Sequence, residues 1–200
     1  MLYNEIDGYF NFNFKKGEKT MKELKQIELK DIDILSYLSP EEENFVIVSG
    51  DNKHHNAMVT NQISFGRMRD KDIATIYLGK DFYTRGYIEK KGRFSINLLP
   101  KNDNSKAILE KLAHLSGKDS DKFQETGLTL IPDKTPKIEE AEYVLTCRVI
   151  YRSHLEKDSF FKKYKKYAKE EYENGFDYAY VAEIKKVYKV VDAESSEAEQ

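Results

Sequence analysis

Three short segments of this 200-residue chain combine apolar residues with hydroxyl and amide side chains at a spacing that suits a ligand pocket. They span residues 56–60, residues 74–78 with Tyr83 and Thr84 shortly after them, and residues 93–97. Polar or turn-forming residues bound each segment, which is typical of short β-strands. The pattern predicts a small barrel that lines a pocket for a polar, phosphorylated ring ligand.

The elements that must position these groups are mostly strands. Besides 56–60, strands are predicted at 45–49, 73–78, 94–99, 143–151 and 178–190. Alternation along the strand at 143–151 places on one face Tyr143, Leu145, Cys147, Val149 and Tyr151. The opposite face carries Thr146, Arg148 and Arg152.

Helical signals are fewer than strand signals. Asn104 and Ser105 can cap a helix that carries an apolar stripe and ends before Gly117. A second helix is predicted over 158–174, with Phe161, Tyr164, Ala168 and Tyr172 on one side. Because the strands do not alternate regularly with helices, the fold class is mainly β, an antiparallel closed or split barrel with a few peripheral helices.

Composition bounds the classes of partner. The 33 Lys and Arg residues nearly balance the 35 Asp and Glu residues, so no overall field attracts nucleic acid or an anionic membrane. The only cysteine, Cys147, excludes an internal disulfide and should lie inert in the core. No apolar run approaches the roughly 20 residues of a membrane span. We expect one cytoplasmic domain without nucleic-acid or membrane partners.

The two ends differ in composition from the rest of the chain. Residues 1–20 are expected to be an N-terminal extension, residues 21–192 the domain, and residues 193–200 an acidic tail. Lys16-Gly17-Glu18 is the sequence that a purine-rich ribosome-binding site would encode if it were translated in frame ahead of an initiator methionine. Met21 is therefore a hypothetical natural start.

Two other motifs have competing interpretations. Lysines and tyrosines interleave at 162–167, a pattern that can stack on and neutralise nucleic acid. Glu170, Glu171 and Glu173 follow at once, which favours a solvated amphipathic face over the barrel or a dimer partner. His54 and His55 are adjacent and should face opposite ways in a strand, so they are interpreted as structural and no metal site is expected.

A series of short motifs follows one another along the chain: Asn56-Ala57-Met58, Phe65-Gly66, Ala74-Thr75-Ile76-Tyr77, Tyr83-Thr84, Ile88-Glu89-Lys90, Arg93-Phe94-Ser95-Ile96, His114-Leu115-Ser116-Gly117-Lys118-Asp119, Asp121-Lys122-Phe123, Glu125-Thr126-Gly127-Leu128 and Ala182-Glu183-Ile184. In this order they resemble the flavin reductase-like, FMN-binding split-barrel family, over roughly residues 24–191. The resemblance implies a Greek-key split β-barrel and a homodimer with flavin near the subunit interface. In many members flavin is reduced by NADH or NADPH.

The chain departs from the family's pattern at two places. Members usually read Asn-x-Met-Thr-x-Ser-Trp-Gly where residues 56–63 read Asn-Ala-Met-Val-Thr-Asn-Gln-Ile, so hydroxyls and a glycine beside the flavin are displaced or missing. Members also tend to carry arginines at the positions of Gly79 and Phe82. Lys80 and Arg85 are the nearby cations, although a lysine lacks the bidentate fork of arginine.

The resemblance implies a set of residues that bind FMN or FAD: Asn56, Met58, Val59, Thr60, Asn61, Ser64, Tyr77, Lys80, Tyr83, Thr84, Arg85, His114, Ser116, Gly117, Asp119 and Lys122. Thr84, Lys80 and Arg85 are the expected phosphate ligands. The ring would lie against residues 58–61. His114 is the candidate catalytic residue near the ring, although a helix-capping role competes with it. Thr84 and Arg85 could equally be turn residues.

Two functional classes follow. The first is an oxidoreductase that passes hydride from NAD(P)H to flavin or a small acceptor, which needs aligned rings and no obligatory protein acid or base. The second is a split-barrel protein that carries or stores flavin without turnover. A role like that of pyridoxamine-phosphate oxidases, or haem binding, on a related barrel is a more distant alternative.

Overall fold

The structure, a computed structural model, describes residues 22–39 and 44–193. Its strands are β1 (Lys22–Ile27), β2 (Phe45–Gly50), β3 (His55–Thr60), β4 (Ile63–Met68), β5 (Lys71–Leu78), β6 (Arg93–Leu98), β7 (Leu130–Ile131), β8 (Lys137–Ile138), β9 (Tyr143–His154) and β10 (Tyr178–Asp192). Its α-helices are α1 (Tyr83–Lys91), α2 (Asp103–His114), α3 (Lys122–Thr126) and α4 (Lys165–Glu171). The mainly β fold class is confirmed.

Eight strands form one antiparallel sheet in the order β3-β2-β6-β9-β10-β5-β4, with β1 added to β10. The 15-residue β10 pairs with β9 along one edge, and its other edge pairs first with β5 and then with β1. β3 and β4 are consecutive in the chain but stand at opposite ends of the strand order, without a ladder between them. The sheet therefore curls into a barrel that is split between β3 and β4.

Both faces of the sheet are covered near β2 and β3, which is why all six residues of β2 are buried. Phe45 and Ile47 point into the barrel core, whereas Val46 and Val48 point to a second core outside it. The second core contains Leu112 of α2 together with residues of α3 and the segment that follows it. Because successive side chains of a strand point to opposite faces, every second residue is available to pack α2 and α3 against the outside of the sheet at β3.

Two helices, α1 and α3, and four strands, β1, β4, β7 and β8, were not predicted from the sequence. The region that contains Tyr83 and Thr84 is the start of α1, and β1 and β4 extend the sheet at its edges. The interpretation of Thr84 and Arg85 as turn residues is wrong, because both lie in the first turn of this helix.

Two predicted helices have different bounds. Asn102, and not Asn104 or Ser105, caps α2, because its side chain accepts a hydrogen bond from the Ser105 N–H at 2.8 Å. The helix predicted at 158–174 is reduced to α4, with 3-10 turns before it. These turns interrupt the helical periodicity, so Phe161 is 82% exposed, whereas Ala168 is buried.

The alternation of side chains predicted for β9 is observed only up to Val149. Val181 pairs with Tyr151 and Ala182 with Val149, so Ile150 is an extra residue in a bulge. Beyond the bulge the alternation is broken, and Tyr151 is 57% exposed instead of facing the core. Cys147, before the bulge, is buried as expected.

Residues 1–21, 40–43 and 194–200 lie outside the described residues. The expected extension at 1–20, the hypothetical start at Met21 and nearly all of the expected tail fall in these ranges. Within the described part of the chain, no helix is long and apolar enough to cross a membrane.

Candidate functional site

A cleft of about 310 Å³ lies where β3 meets the start of α1, the end of α2 and the loop that leads to α3. Its lining residues are Asn56, Met58, Val59, Asp81, Phe82, Tyr83, Thr84, Leu112, Ala113, Leu115, Ser116, Gly117, Lys118 and Lys122. We call it the β3 cleft. Its size is at the lower end of the range of small-molecule sites.

β3 is an edge strand whose free side borders the cleft. One side of β3 pairs with β2, and no described strand pairs with the other side. An edge strand presents main-chain N–H and C=O groups that a partner can bind. The cleft therefore has a wall that can bind the polar edge of a flat ligand.

A buried hydrogen bond joins two walls of the cleft. The Nδ2 of Asn56 on β3 donates to the Oγ1 of Thr84 on α1 at 2.8 Å. Gly117 packs directly on the Asn56 amide, since a Cβ built at this glycine would lie 2.1 Å from the Asn56 Oδ1. Only glycine allows the loop after α2 to approach β3 this closely.

The start of α1 presents a positive helix terminus to the cleft. Phe82 is the N-cap residue and its side chain makes no capping hydrogen bond. The N–H groups of the first turn, at Tyr83 and Thr84, are thus not satisfied by a side-chain cap, and the helix dipole adds partial positive charge there. Asp81 is the carboxylate among the lining residues.

Lys122, the first residue of α3, is a buried cation in the cleft wall. Only 8% of the residue is exposed, and its Nζ donates to the carbonyl of Leu112 at 3.4 Å. Burial lowers the pKa of Lys122. No carboxylate of the described residues forms an ion pair with it. A buried charge without a counterion favours an anionic ligand.

The far end of α1 is anchored to the sheet through Glu89. Its carboxylate accepts hydrogen bonds from the Tyr180 hydroxyl at 2.6 Å and from the Arg152 guanidinium at 2.9 Å. Burial raises the pKa of Glu89, but these hydrogen bonds and the charges of Arg152 and Arg85 lower it by more, so the pKa is below its ordinary value. This anchor fixes the helix whose other end borders the cleft.

Eight of the residues named from the sequence line the β3 cleft: Asn56, Met58, Val59, Tyr83, Thr84, Ser116, Gly117 and Lys122. The others lie elsewhere. Thr60 is buried on β3, where its Oγ1 accepts a hydrogen bond from the N–H of Gln62 at 2.9 Å. Asn61 follows in the turn, and Ser64, Tyr77 and Asp119 are outside the lining.

The two cations expected at the phosphate, Lys80 and Arg85, are not among the residues that line the cleft. The Arg85 guanidinium lies 4.4 Å from the centre of the Tyr178 ring and 3.4 Å from a Glu89 oxygen. The Lys80 side chain runs alongside Gly175. Lys122 and Lys118 are the cations in the lining.

His114 lines a second, larger cleft of about 710 Å³, between α2, residues 36–39 and Asn44. Two of its polar side chains, Lys101 and Tyr37, already have partners. Lys101 donates to the Ser36 carbonyl and lies 4.5 Å from the centre of the Tyr37 ring, while the Tyr37 hydroxyl donates to Glu142 at 2.9 Å. The β3 cleft, with its unneutralised lysine, is the better candidate despite its smaller volume.

Sequence reasoning missed the lining residues Asp81, Phe82, Leu112, Ala113, Leu115 and Lys118. Asp81 and Phe82 directly precede the motif Tyr83-Thr84, so a helix assigned there would have revealed them. The described residues contain no group of three or more His, Cys, Asp or Glu side chains that could hold a metal ion.

Residues 42–161 match the profile of the flavin reductase-like domain, which is more than half of the chain. The chain therefore belongs to the flavin reductase-like domain family, as the motifs predicted. No curated protein sequence matches the chain significantly.

Solved structures share the fold. Flavoredoxin from Methanosarcina acetivorans is 21% identical, with a TM-score of 0.55 over 74% of this chain and 68% of its own. An FMN-binding domain of a flavin reductase-like enzyme from Shewanella baltica is 18% identical, with a TM-score of 0.56 over 83% and 76%. The NADH:FAD oxidoreductase of Streptomyces globisporus is 13% identical, with a TM-score of 0.54 over 74% and 75%.

Proposed function

We propose that the protein binds FMN in the β3 cleft and passes hydride from NADH or NADPH to flavin or to a small acceptor. The observation that carries the proposal is the buried, unneutralised Lys122 in the same cleft as the uncapped start of α1. Together they supply two positive features for one anionic group. The phosphate of FMN is such a group.

The residues in the lining fit a flavin nucleotide in two further respects. The hydroxyl of Thr84 and the N–H groups of the first turn of α1 can donate to phosphate oxygens. The free side of β3 offers main-chain groups to the polar edge of the ring, and Met58 and Val59 lie on that strand. Phosphate binding is thus assigned to Lys122 and α1, and not to Lys80 and Arg85.

Bound FMN would supply the hydride-accepting and electron-donating chemistry. The chain itself binds and orients: Lys122 and α1 hold the phosphate, and β3 aligns the ring. The aromatic side chains of Phe82 and Tyr83, which are 50% and 41% exposed, border the mouth of the cleft and limit the access of water. No side chain has to give or take a proton at the reacting atoms, so His114 in the neighbouring cleft is not required as a catalyst.

The proposal includes a homodimer. Exposed aromatic rings at the cleft mouth are a surface that a second copy can cover. Light scattering on the purified protein measures the mass directly, and a monomer at micromolar concentration would remove this part of the proposal while leaving the FMN site in place.

The first experiment compares FMN with riboflavin on Lys122→Met. Loss of a charge-assisted contact costs about 1.5–3 kcal/mol, so FMN should bind roughly 10- to 100-fold more weakly. Riboflavin, which has no phosphate, should bind as it does to the wild type. Lys118→Met is the control, because Lys118 lies exposed at the rim of the same cleft. Equal weakening of both ligands by Lys122→Met would mean that the phosphate lies elsewhere.

A flavin carrier is the alternative function. Protein that is purified yellow and oxidises NADH or NADPH in a flavin-dependent way supports the reductase. Yellow protein without nicotinamide oxidation supports the carrier. A protein whose thermal stability is unchanged by FMN contradicts both, since a ligand that binds the native state raises its stability.

A further inference from the structure

Two arginines face each other on adjacent strands far from the β3 cleft. Arg93, the first residue of β6, is the direct cross-strand partner of Arg148 on β9. Their chain neighbours Phe94 and Cys147 belong to the barrel core, so both arginines lie on the outer face of the sheet. Directly opposed like charges destabilise a sheet.

The chain does not neutralise this pair. Neither guanidinium makes an ion pair or a hydrogen bond within the described residues, and the Nε of Arg93 is buried without a partner. The nearest cross-strand carboxylate, Glu183, is the Cα partner of Arg148 on β10. It is already shared by two lysines, Lys71 and Lys185, each at 3.1 Å.

Both features are costs that the chain's own contacts do not offset. A buried donor without a partner and two directly opposed like charges each lower stability. Natural sequences violate such rules mainly where a site is built. We propose that Arg93 and Arg148 bind the phosphate group of a small molecule at the outer face of the sheet.

The geometry favours phosphate over carboxylate. Each guanidinium is a planar fork that can donate two parallel hydrogen bonds. One fork satisfies the two oxygens of a carboxylate, whereas two forks match the oxygens and the double charge of a phosphate. Arg148 is exposed and gives access from solvent, while Arg93 is half-buried behind it.

The arginine pair is separate from the proposed flavin site. Arg93 follows the C-terminal end of α1, whereas the cleft lies at its start. The nine residues of α1 span roughly 13 Å at the usual rise per residue, which exceeds the size of one phosphate. The inference therefore does not depend on flavin binding.

Calorimetric titration with inorganic phosphate tests the inference, at constant ionic strength set with chloride. We expect saturable binding to the wild type and at least about tenfold weaker binding to Arg148→Gln, as for loss of one charge-assisted contact. Arg67→Gln is the matched control, because Arg67 has its own carboxylate partner, Asp72, at 3.7 Å. Lys122→Met reports on the cleft.

Each result decides the matter. A saturable phosphate site that Arg148→Gln abolishes and that both Arg67→Gln and Lys122→Met retain supports the arginine site, whether or not a second site, lost in Lys122→Met, is also present. Binding lost in Lys122→Met and kept in Arg148→Gln places the anion in the cleft and overturns the inference, as does equal binding of acetate or no saturable binding at all. Tighter binding of adenosine monophosphate than of phosphate, lost in Arg148→Gln, identifies a nucleotide as the source of the phosphate; equal binding identifies free phosphate.

A second readout does not need a ligand. Because Arg148→Gln removes one of two opposed charges, it should raise the melting temperature in phosphate-free buffer while it weakens phosphate binding. A merely structural arginine would lower the melting temperature when replaced. That result in phosphate-free buffer would count against the inference.

Discussion

The side-chain amide of Asn56 donates a buried hydrogen bond to the hydroxyl of Thr84 at 2.8 Å, and this contact joins an edge strand to the start of a helix. The two residues are 28 positions apart in the chain. Both line the β3 cleft, so one hydrogen bond sets the separation of two of its walls.

Removal of the Thr84 hydroxyl should weaken both the fold and the site. Thr84→Val keeps the shape of the side chain but leaves the Asn56 amide buried without this partner, which costs roughly 1–3 kcal/mol of unfolding free energy. Urea denaturation measures the cost, and an FMN titration measures the site. Thr75→Val is the control, because Thr75 is also buried and its hydroxyl makes no hydrogen bond within the described ranges.

Gly117 should not tolerate a methyl group, whereas Gly86 should benefit from one. Gly117→Ala drives a Cβ into the Asn56 amide, so we expect weaker FMN binding and a lower melting temperature. A Cβ at Gly86, inside α1, meets no atom within 4 Å. Gly86→Ala should therefore stabilise the protein by about 0.5–1 kcal/mol. Opposite shifts of the two variants are the expected result, and similar shifts would contradict it.

Removal of a single hydroxyl, that of Tyr180, should measurably lower the stability that the anchor of α1 provides. Tyr180→Phe removes the 2.6 Å hydrogen bond to the Glu89 carboxylate and should cost about 1.5–3 kcal/mol of unfolding free energy, as expected for a bond to a charged group. Tyr151→Phe, at a side chain that is 57% exposed, should change stability by less than about 0.5 kcal/mol. Comparable losses of unfolding free energy in the two variants would show that the hydrogen bond from Tyr180 to Glu89 does not stabilise the fold.

The same anchor predicts a pH dependence. The pKa of Glu89 in the folded protein is below its ordinary value, so its stabilising contribution is present above the unfolded pKa of about 4.3. The contribution is lost as the pH falls through the folded pKa, because the unfolded state then binds the proton more readily. Denaturation of wild type and Glu89→Gln should thus differ at neutral pH and converge in acid. A constant difference across this range would be the contrary result.

FMN binding should weaken at alkaline pH through Lys122. Because burial lowers the pKa of Lys122, its charge is lost at a lower pH than that of an ordinary lysine, and the attraction for phosphate goes with it. Affinity for FMN measured against pH should therefore fall for the wild type and stay level for Lys122→Met over the same range. If affinity depends on pH in the same way in both proteins, Lys122 does not contact the phosphate.

The thiol of Cys147 should be inert in the native state. The residue is 2% exposed, and burial raises the pKa of its thiol, so the reactive thiolate is scarce. A disulfide reagent should label it only after unfolding in denaturant. Rapid, stoichiometric labelling in native buffer would show that the β9 face opens readily.

The sequence predicted most of the barrel because its central strands carry strong local signals. Along β2, alternate residues face two cores, and β-branched residues fill both faces. The edge strands β1 and β4 were missed for the converse reason, since most of their residues are not buried and their order is set by pairing with β10 and β5.

Helix α1 escaped prediction because its own sequence signals are weak. It has no side-chain cap, it contains Gly86, and only Thr84 and Ile88 are buried. Tertiary contacts such as that of Glu89 with Tyr180 stabilise it instead. For this reason eight of the residues named for the site line the β3 cleft, whereas Lys80 and Arg85, which flank the unrecognised start of this helix, are not among its lining residues.

The unpaired side of β3 has one more consequence. When an unpaired strand edge becomes exposed, sheets of separate molecules can pair edge to edge at it and aggregate. Residues 56–60 of β3 are buried in the folded chain, so this edge becomes available only when the chain opens, and FMN bound beside it would oppose that opening. Solutions of the ligand-free protein should cloud sooner on storage than solutions supplied with FMN.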